Sequence, residues 1–234
     1  MQHLQGRSVT DVIWDVKDPM RVSAVVLDDG QAISVDAVVF CTGSDTATLI
    51  ERMFGVFLPI YPVKGYSITV PVADAEHARH APSRVVVHAE RHYYATLYPK
   101  HNGVAHDRLG AEIRFAAFGE VTSRERANET ASDLSQRLTA YAKAMLPRAG
   151  DYTRASVWSG KRPWCADDLP VISGLASATN AFVCAGHGPL GWSLACGSAA
   201  IIGALVDGAD PQQISDAIGI DMRRFSADRF RWFS

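Results

Sequence analysis

The stretch AFVCAGHGPLGWSLACG, residues 181–197, holds the densest set of residues whose spacing could do chemistry. Gly186, Gly188 and Gly191 spell G-x-G-x-x-G, after an apolar run and before a helix-like one. At a strand-to-helix turn this spacing lets a pyrophosphate approach the backbone, where unpaired N–H groups and the helix dipole stabilise negative charge. A dinucleotide-binding unit also needs a second parallel strand ending in an acidic residue that holds a ribose. After Gly208 the chain reads ADPQQISDAIGIDMRRFSADRFRWFS, which has no apolar strand run. Asp207 has about the expected acidic distance but stands at a helix end rather than a strand end. A nicotinamide-dinucleotide site on this turn therefore fails on the missing strand. The turn still suits an anionic or electron-rich ligand edge, and the competing reading is tight strand–helix packing with no ligand.

Other constellations carry less. Ser44, Ser159 and the histidines lack the context of a nucleophile elbow. His77 and His80 sit in EHARH, a polar patch expected to be solvated, and His101 and His106 fall in a loop. No metal-ligand set is visible in the spacing. Cys41, Cys165, Cys184 and Cys196 form no C-x-x-C and are expected to be reduced core thiols. The net charge is -2 and no Lys/Arg run occurs, which argues against a nucleic-acid partner. The N-terminus MQHLQGRSVTDVIWDV lacks a signal pattern. The apolar window from Leu190 to Val206 is interrupted by Gly197, Ser198 and Gly203 and falls short of a membrane span. A cytoplasmic location is expected, with peripheral contact at the inner membrane as the alternative.

The elements that must position the turn can be read from periodicity. SVTDVIWDV and RVSAVVLDDG read as strands, with Asp28-Asp29-Gly30 turning into QAISVDAVVFCTG. Ala37 to Cys41 is a continuous run typical of a strand buried on both faces. SDTATLIERMFG offers Ser44 or Asp45 as a helix cap and Gly55 as a stop. YPVKGYSITVPV, SRVVVHAERHYYATLYP and EIRFAAFGEV read as strands. SRERANETASDLSQRLTAYAKAML is an amphipathic helix carrying Leu134, Leu138, Tyr141, Ala142 and Met145, ended by Pro147. DYTRASVWSGKRPWCADDLPVISG is rich in turns and tight bends, NAFVCAG is a strand, and PQQISDAIG is a short helix.

Trp158, Gly160, Arg162 and Pro163, then Asp168, Pro170, Ile172 and Gly174, then Gly186, His187 and Gly191 follow one another in an order that is itself specific. With LPIYPVKGYSITVPV, VVFCTGS and the closing FSADRF, they make the chain resemble the C-terminal part of a FAD-dependent family. That family contains D-amino acid dehydrogenase, D-amino acid oxidase and glycine oxidase. The resemblance covers nearly the whole chain and is loose between about residues 73 and 150.

The resemblance implies an α/β (α+β) fold. Residues 1–56 and 151–234 would form an incomplete, Rossmann-like FAD-binding domain split in sequence, and 57–150 a mixed-sheet substrate domain. It implies oxidative deamination of a D-amino acid, with hydride transfer from Cα to the flavin and hydrolysis of the imino acid to a 2-oxo acid and ammonia. Arg162 would bind the substrate carboxylate as a bidentate fork, against the alternative of a structural ion pair with Asp167 or Asp168. Orientation is then the main catalytic device. Tyr93 and Tyr94 are candidate substrate-side hydroxyls, of which alternation lets only one point inward. Thr42, Gly43, Gly186, His187, Gly188, Leu190 and Gly191 would border the FAD, and His187 equally suits a hydrogen bond within its loop. Lys64 is either near the site or a solvated strand lysine.

The family's ADP-binding strand, G-x-G-x-x-G turn and helix are not among these 234 residues. Full FAD affinity would need that segment, from a missing N-terminal half or a second subunit. The rival expectation is a truncated, non-catalytic relative or partner subunit that binds no FAD alone. Apolar surface at Ala37–Cys41 and Ala181–Ala185 would then be exposed and favour self-association.

Overall fold

The computed structural model describes residues 3–89, 93–99, 108–122 and 132–233; of Ser132, Trp232 and Phe233 only the backbone is described. His101 and His106, and the first nine residues of the long helix expected from residue 123, lie outside that set. The chain divides into two compact units, Met1–Tyr61 with Arg162–Ser234, and Pro62–Lys161. Each is described by itself.

The discontinuous unit contains two three-stranded sheets among the described residues. In the first, β1 (Val9–Trp14), β2 (Val22–Leu27) and β3 (Ala32–Ser34) run antiparallel. The second has the order β10-β11-β4. In it β4 (Val38–Phe40) is parallel to β11 (Ala178–Ala185), and β10 (Val171–Leu175) is antiparallel to β11. The expected single strand from Gln31 to Cys41 is thus two short strands in two sheets, joined across Val35–Ala37. Asn180 ties the sheets together. Its Oδ1 accepts from the Val22 amide at 2.8 Å, and its Nδ2 donates to the carbonyls of Val22 (2.8 Å) and Asp36 (2.9 Å). A buried amide fully occupied in this way fixes the relation of segments far apart in sequence.

Helix α1 (Thr46–Phe54) follows β4 through a 3-10 turn at Gly43–Asp45. No side-chain cap bond forms at Asp45; instead the Thr42 and Thr46 hydroxyls lie 2.9 Å apart, and Gly55 closes the helix in the left-handed conformation. Ala47, Ile50, Met53 and Phe54 of α1 pack with Phe40 and Val183 into the main core of this unit. On the other sheet face a smaller cluster joins Phe182 to Leu205 and Ile214. These last two come from α4 (Gly191–Val206) and α5 (Pro211–Ile218), the latter opened by an Asp210 capping box.

The exposed apolar surface differs from expectation. β11 is buried along most of its length, whereas Val39 and Cys41 at the end of β4 are exposed. The larger apolar exposure belongs to α4, where Trp192 is 95% and Leu194 40% exposed. The segment Gly188–Val206, with mean hydropathy 1.6, is long and apolar enough to cross a membrane, and 11% of it is buried. Its interrupting glycines and serine do not lower its hydropathy enough to exclude that length test.

The continuous unit is built on a five-stranded sheet of order β6-β7-β8-β5-β9. Its strands are β5 (Ile60–Pro71), β6 (Val86–His88), β7 (Tyr93–Tyr98), β8 (Glu112–Val121) and β9 (Ser156–Cys165). Helix α3 (Ser132–Met145) lays Leu138 and Ala142 against Ile68, Ala95 and Phe115. Helix α2 (Ala75–His80), capped by Asp74, forms where the sequence suggests only a polar patch. β9 and β10 both form within the segment read as turns and tight bends. Gly160, Pro163 and two charges disguise β9, and Pro163 is tolerated because β9 is an edge strand.

Candidate functional site

The parallel pairing of β4 with β11 places Phe40 beside Val183, so both strands deliver their following turns to one edge of the sheet. Thr42 and Gly43 leave β4 there, and Gly186 to Gly191 leave β11 there. Ligands in open α/β sheets bind outside such carboxyl ends.

Two glycines of the turn are required by geometry. Gly186 has φ +82°, and a Cβ there would lie 3.3 Å from Cβ of Cys165 and 3.5 Å from Ile60. Gly188 has φ +54°, and its missing side chain leaves room for the Trp164 ring at 3.5 Å. An L side chain at either position is strained by the backbone itself. Past them, Gly188–Leu190 forms a 3-10 turn that runs into α4, and neither start has a side-chain cap bond. The first amides of this 16-residue helix are therefore left without a side-chain acceptor.

Arg162 reaches this region along β9. Trp164, two residues on, forms an antiparallel bridge with His187. The Trp164 indole N–H donates to Asp168, which adopts φ +61° in the turn after β9. Asp167 is engaged by Arg229, Nε to Oδ2 at 2.8 Å and Nη2 to Oδ1 at 3.1 Å. Asp167 thus bonds Arg229 and Asp168 bonds Trp164, while Arg162 is itself engaged. Arg229 went unnoticed in the sequence, because a pair 62 residues apart leaves no local pattern.

His187 turns its Nε2 toward the Ser198 hydroxyl at 2.9 Å, which clasps the turn onto α4. Burial holds the imidazole below its usual value, so it is neutral at pH 7. The side chain of Leu190 is exposed. In the other unit, Tyr93 is buried against Tyr141 and Phe118, while Tyr94 points out of the opposite sheet face at 45% exposure. That face also carries Arg114, whose guanidinium stacks over the Tyr98 ring at 4.9 Å. Lys64 is buried, not solvated. His77 and His80 are half-buried on α2, with Asp74 3.2 Å from His77 and Glu76 3.1 Å from His80. Among the described residues no group of three or more His, Cys, Asp or Glu could hold a metal.

The carboxyl-edge turns, the uncapped helix start and the two strained glycines fit an anionic or electron-rich ring edge. The chain is 36% identical over 200 residues to a D-amino acid dehydrogenase of Methylobacterium radiotolerans, covering 86% of this chain and 43% of the relative. It is 35% identical over 208 residues to the D-amino acid dehydrogenase of Bradyrhizobium diazoefficiens, covering 88% and 44%. It therefore spans less than half the length of these relatives. Among solved structures, glycine oxidase from Geobacillus kaustophilus superposes with a TM-score of 0.69 at 22% identity, over 94% of this chain and 51% of that one. L-proline dehydrogenase from P. horikoshii gives 0.66 at 14% identity, over 99% and 55%. The fold is that of these FAD-dependent oxidoreductases, represented by part of its length. The family model for FAD dependent oxidoreductases (DAO) matches residues 2–205, and the chain belongs to that family.

Proposed function

We propose that this chain supplies the flavin-ring and substrate-side portion of an enzyme that oxidatively deaminates D-amino acids. The observation that carries the reading is the Trp164–His187 bridge, which ties the Arg162 strand to the Gly186–Gly191 turn. Arg162 binds the substrate carboxylate, and its planar fork fixes the direction of the Cα–H bond. The amides at the start of α4, with Gly186 and Gly188 keeping the backbone bare, would hold the electron-rich edge of the cofactor and stabilise negative charge there. Thr42 and Gly43 border the same edge through their backbone. The Ser198 bond holds His187 in its loop, so the imidazole positions the turn rather than exchanging a proton. Bound FAD would supply the acceptor for the hydride leaving Cα. Its ADP half would be held by residues outside these 234, on the same polypeptide or a second one. The substrate is a D-amino acid, in keeping with the names of the relatives, and a cytoplasmic site of action accords with the composition.

A second reading is a non-catalytic relative or partner subunit that binds no FAD alone, and the uncovered apolar length of α4 favours it. One titration separates the two. The purified chain is mixed with FAD, alone and with the N-terminal half of a relative, and the bound-flavin spectrum and its bleaching by D-alanine are followed. A spectrum that appears and bleaches with the complementing half supports the enzyme reading. No bound flavin under either condition at high micromolar FAD sinks it. In the complemented enzyme, Arg162→Ala should raise KM for D-alanine at least tenfold with flavin still bound; equal loss of flavin would make Arg162 structural.

A further inference from the structure

Cys41 and Cys184 take no part in the flavin reading, yet the sheet brings them together. Phe40 and Val183 are the last registered partners of the parallel β4–β11 pairing. One step further along both strands stand Cys41 and Cys184. Paired strands lie ~4.8 Å apart, inside the ~4.4–6.8 Å Cα separation that a disulfide spans. Side chains alternate along a strand, so both thiols leave the sheet on the face opposite Phe40 and Val183. Each thiol shifts the ionisation of the other. Cys41 is exposed, and Cys184 beside it is half-buried.

Their surroundings divide the roles. Interaction with Cys184 lowers the Cys41 thiol to about 7, against the opposing effect of burial. The same interaction, burial and the charge on Cys41 push Cys184 upward. An accessible thiolate beside a protonated neighbour is the arrangement of an attacking and a resolving cysteine. Cys165 contrasts with this pair: it is buried, and burial followed by Asp167 pushes its thiol up to about 11.

We propose that Cys41 and Cys184 form a reversible intramolecular disulfide, with a small-molecule disulfide as the oxidant. The Cys41 thiolate attacks one sulfur of the oxidant, and the oxidant's S–S bond breaks and releases one thiolate. The Cys184 thiol then gives its proton to solvent and attacks the Cys41 sulfur, breaking the mixed disulfide and releasing the second thiolate. The two cysteines lose two electrons and the small disulfide gains them. Because Cys41 immediately precedes Thr42 and Gly43, the new bond would lock the turn that leaves β4 to the root of the turn that leaves β11. The proposal stands whether or not the chain binds flavin.

The test uses the whole reduced chain and oxidised glutathione at neutral pH, followed by intact mass and peptide mapping. The expected product is lighter by two hydrogens, carries no glutathione at Cys41 or Cys184, joins the Cys41 peptide to the Cys184 peptide and reverts with dithiothreitol. Cys184→Ser should stop at a glutathione adduct on Cys41, and if that variant fails to fold, the wild-type map alone decides. Separate glutathione adducts on both cysteines, or Cys41 joined instead to Cys196 or to a second copy, would overturn the proposal.

Discussion

Replacing Arg229 with alanine removes the tie between the C-terminal 3-10 segment and the loop after β9. The guanidinium donates to both oxygens of Asp167, to the Leu169 carbonyl at 2.8 Å and to the Ser226 carbonyl at 3.0 Å. It also lies over the Phe230 ring, 4.3 Å from the centroid. Its side chain is 13% exposed and that of Asp167 36%, so solvent screens part of the ionic attraction. The carboxylate fork is then worth about 1 kcal/mol. The Leu169 bond adds about 1 kcal/mol, and the ring contact about 0.5. A loss of about 2–3 kcal/mol for the discontinuous unit corresponds to a Tm drop of roughly 5–10 °C, read by circular dichroism melts at pH 7. Arg229→Lys keeps the charge but not the fork and should fall between. The pH dependence has a definite sign. Burial opposes ionisation of Asp167, but bonds from Arg229, Cys165 and the Leu169 amide outweigh it and lower its pKa. The ionic part of the stabilisation is therefore present above the unfolded value of about 4 and lost as pH falls through the lower folded value. The gap between wild type and Arg229→Ala should narrow in that range. A melt within 1 °C of wild type, or additive effects of Arg229→Ala and Asp167→Asn, would refute the reasoning.

Three further outcomes follow from the same geometry. Gly186→Ala forces an L residue to φ +82° and sets a methyl 3.3 Å from Cys165, and should cost about 2 kcal/mol in denaturant unfolding. Asn180→Ala orphans the amide and carbonyl of Val22 and the carbonyl of Asp36 and should cost about 3 kcal/mol, and Asn180→Asp should cost at least as much, because its carboxylate would face both carbonyls in a buried site. His187 is held neutral by burial, so below about pH 6.5 the unfolded chain takes up a proton that the folded chain refuses. Wild type should lose more stability between pH 7 and 5.5 than His187→Gln, and parallel titrations of the two would remove the assignment.

What could be read from the sequence was what leaves a local trace. The apolar run of β11, the glycine turn and the helix after it are visible because strand burial and turn strain act on neighbours in sequence. The left-handed stop at Gly55 is visible for the same reason. β9 was hidden, since an edge strand tolerates the proline, glycine and charges that read as a bend. Alternation separated Tyr93 from Tyr94 but could not say which one faced inward; packing of Tyr93 on Tyr141 decides that. Of the site, the glycine spacing gave the turn, while its clasp to Ser198 and the Trp164 bridge are tertiary and have no signature. The exposure of Trp192 on α4 shows that apolar composition reports what a surface could bury, not what covers it.

The chain enters the continuous unit along β5 and leaves it along β9, and the two strands are neighbours in one sheet. This adjacency bears on the order of folding. The first 61 residues emerge from the ribosome well before the partners they need, beginning at Arg162. Closing a flexible loop of about 100 residues costs roughly 4 kcal/mol in chain entropy. If residues 62–161 collapse onto their own core first, the β5–β9 pairing closes that loop in advance, and the late C-terminal strands arrive already beside β4. In that case the insertion would act as an assembly clamp during synthesis, and slowing its folding would delay β11 from reaching β4 even though neither strand belongs to it.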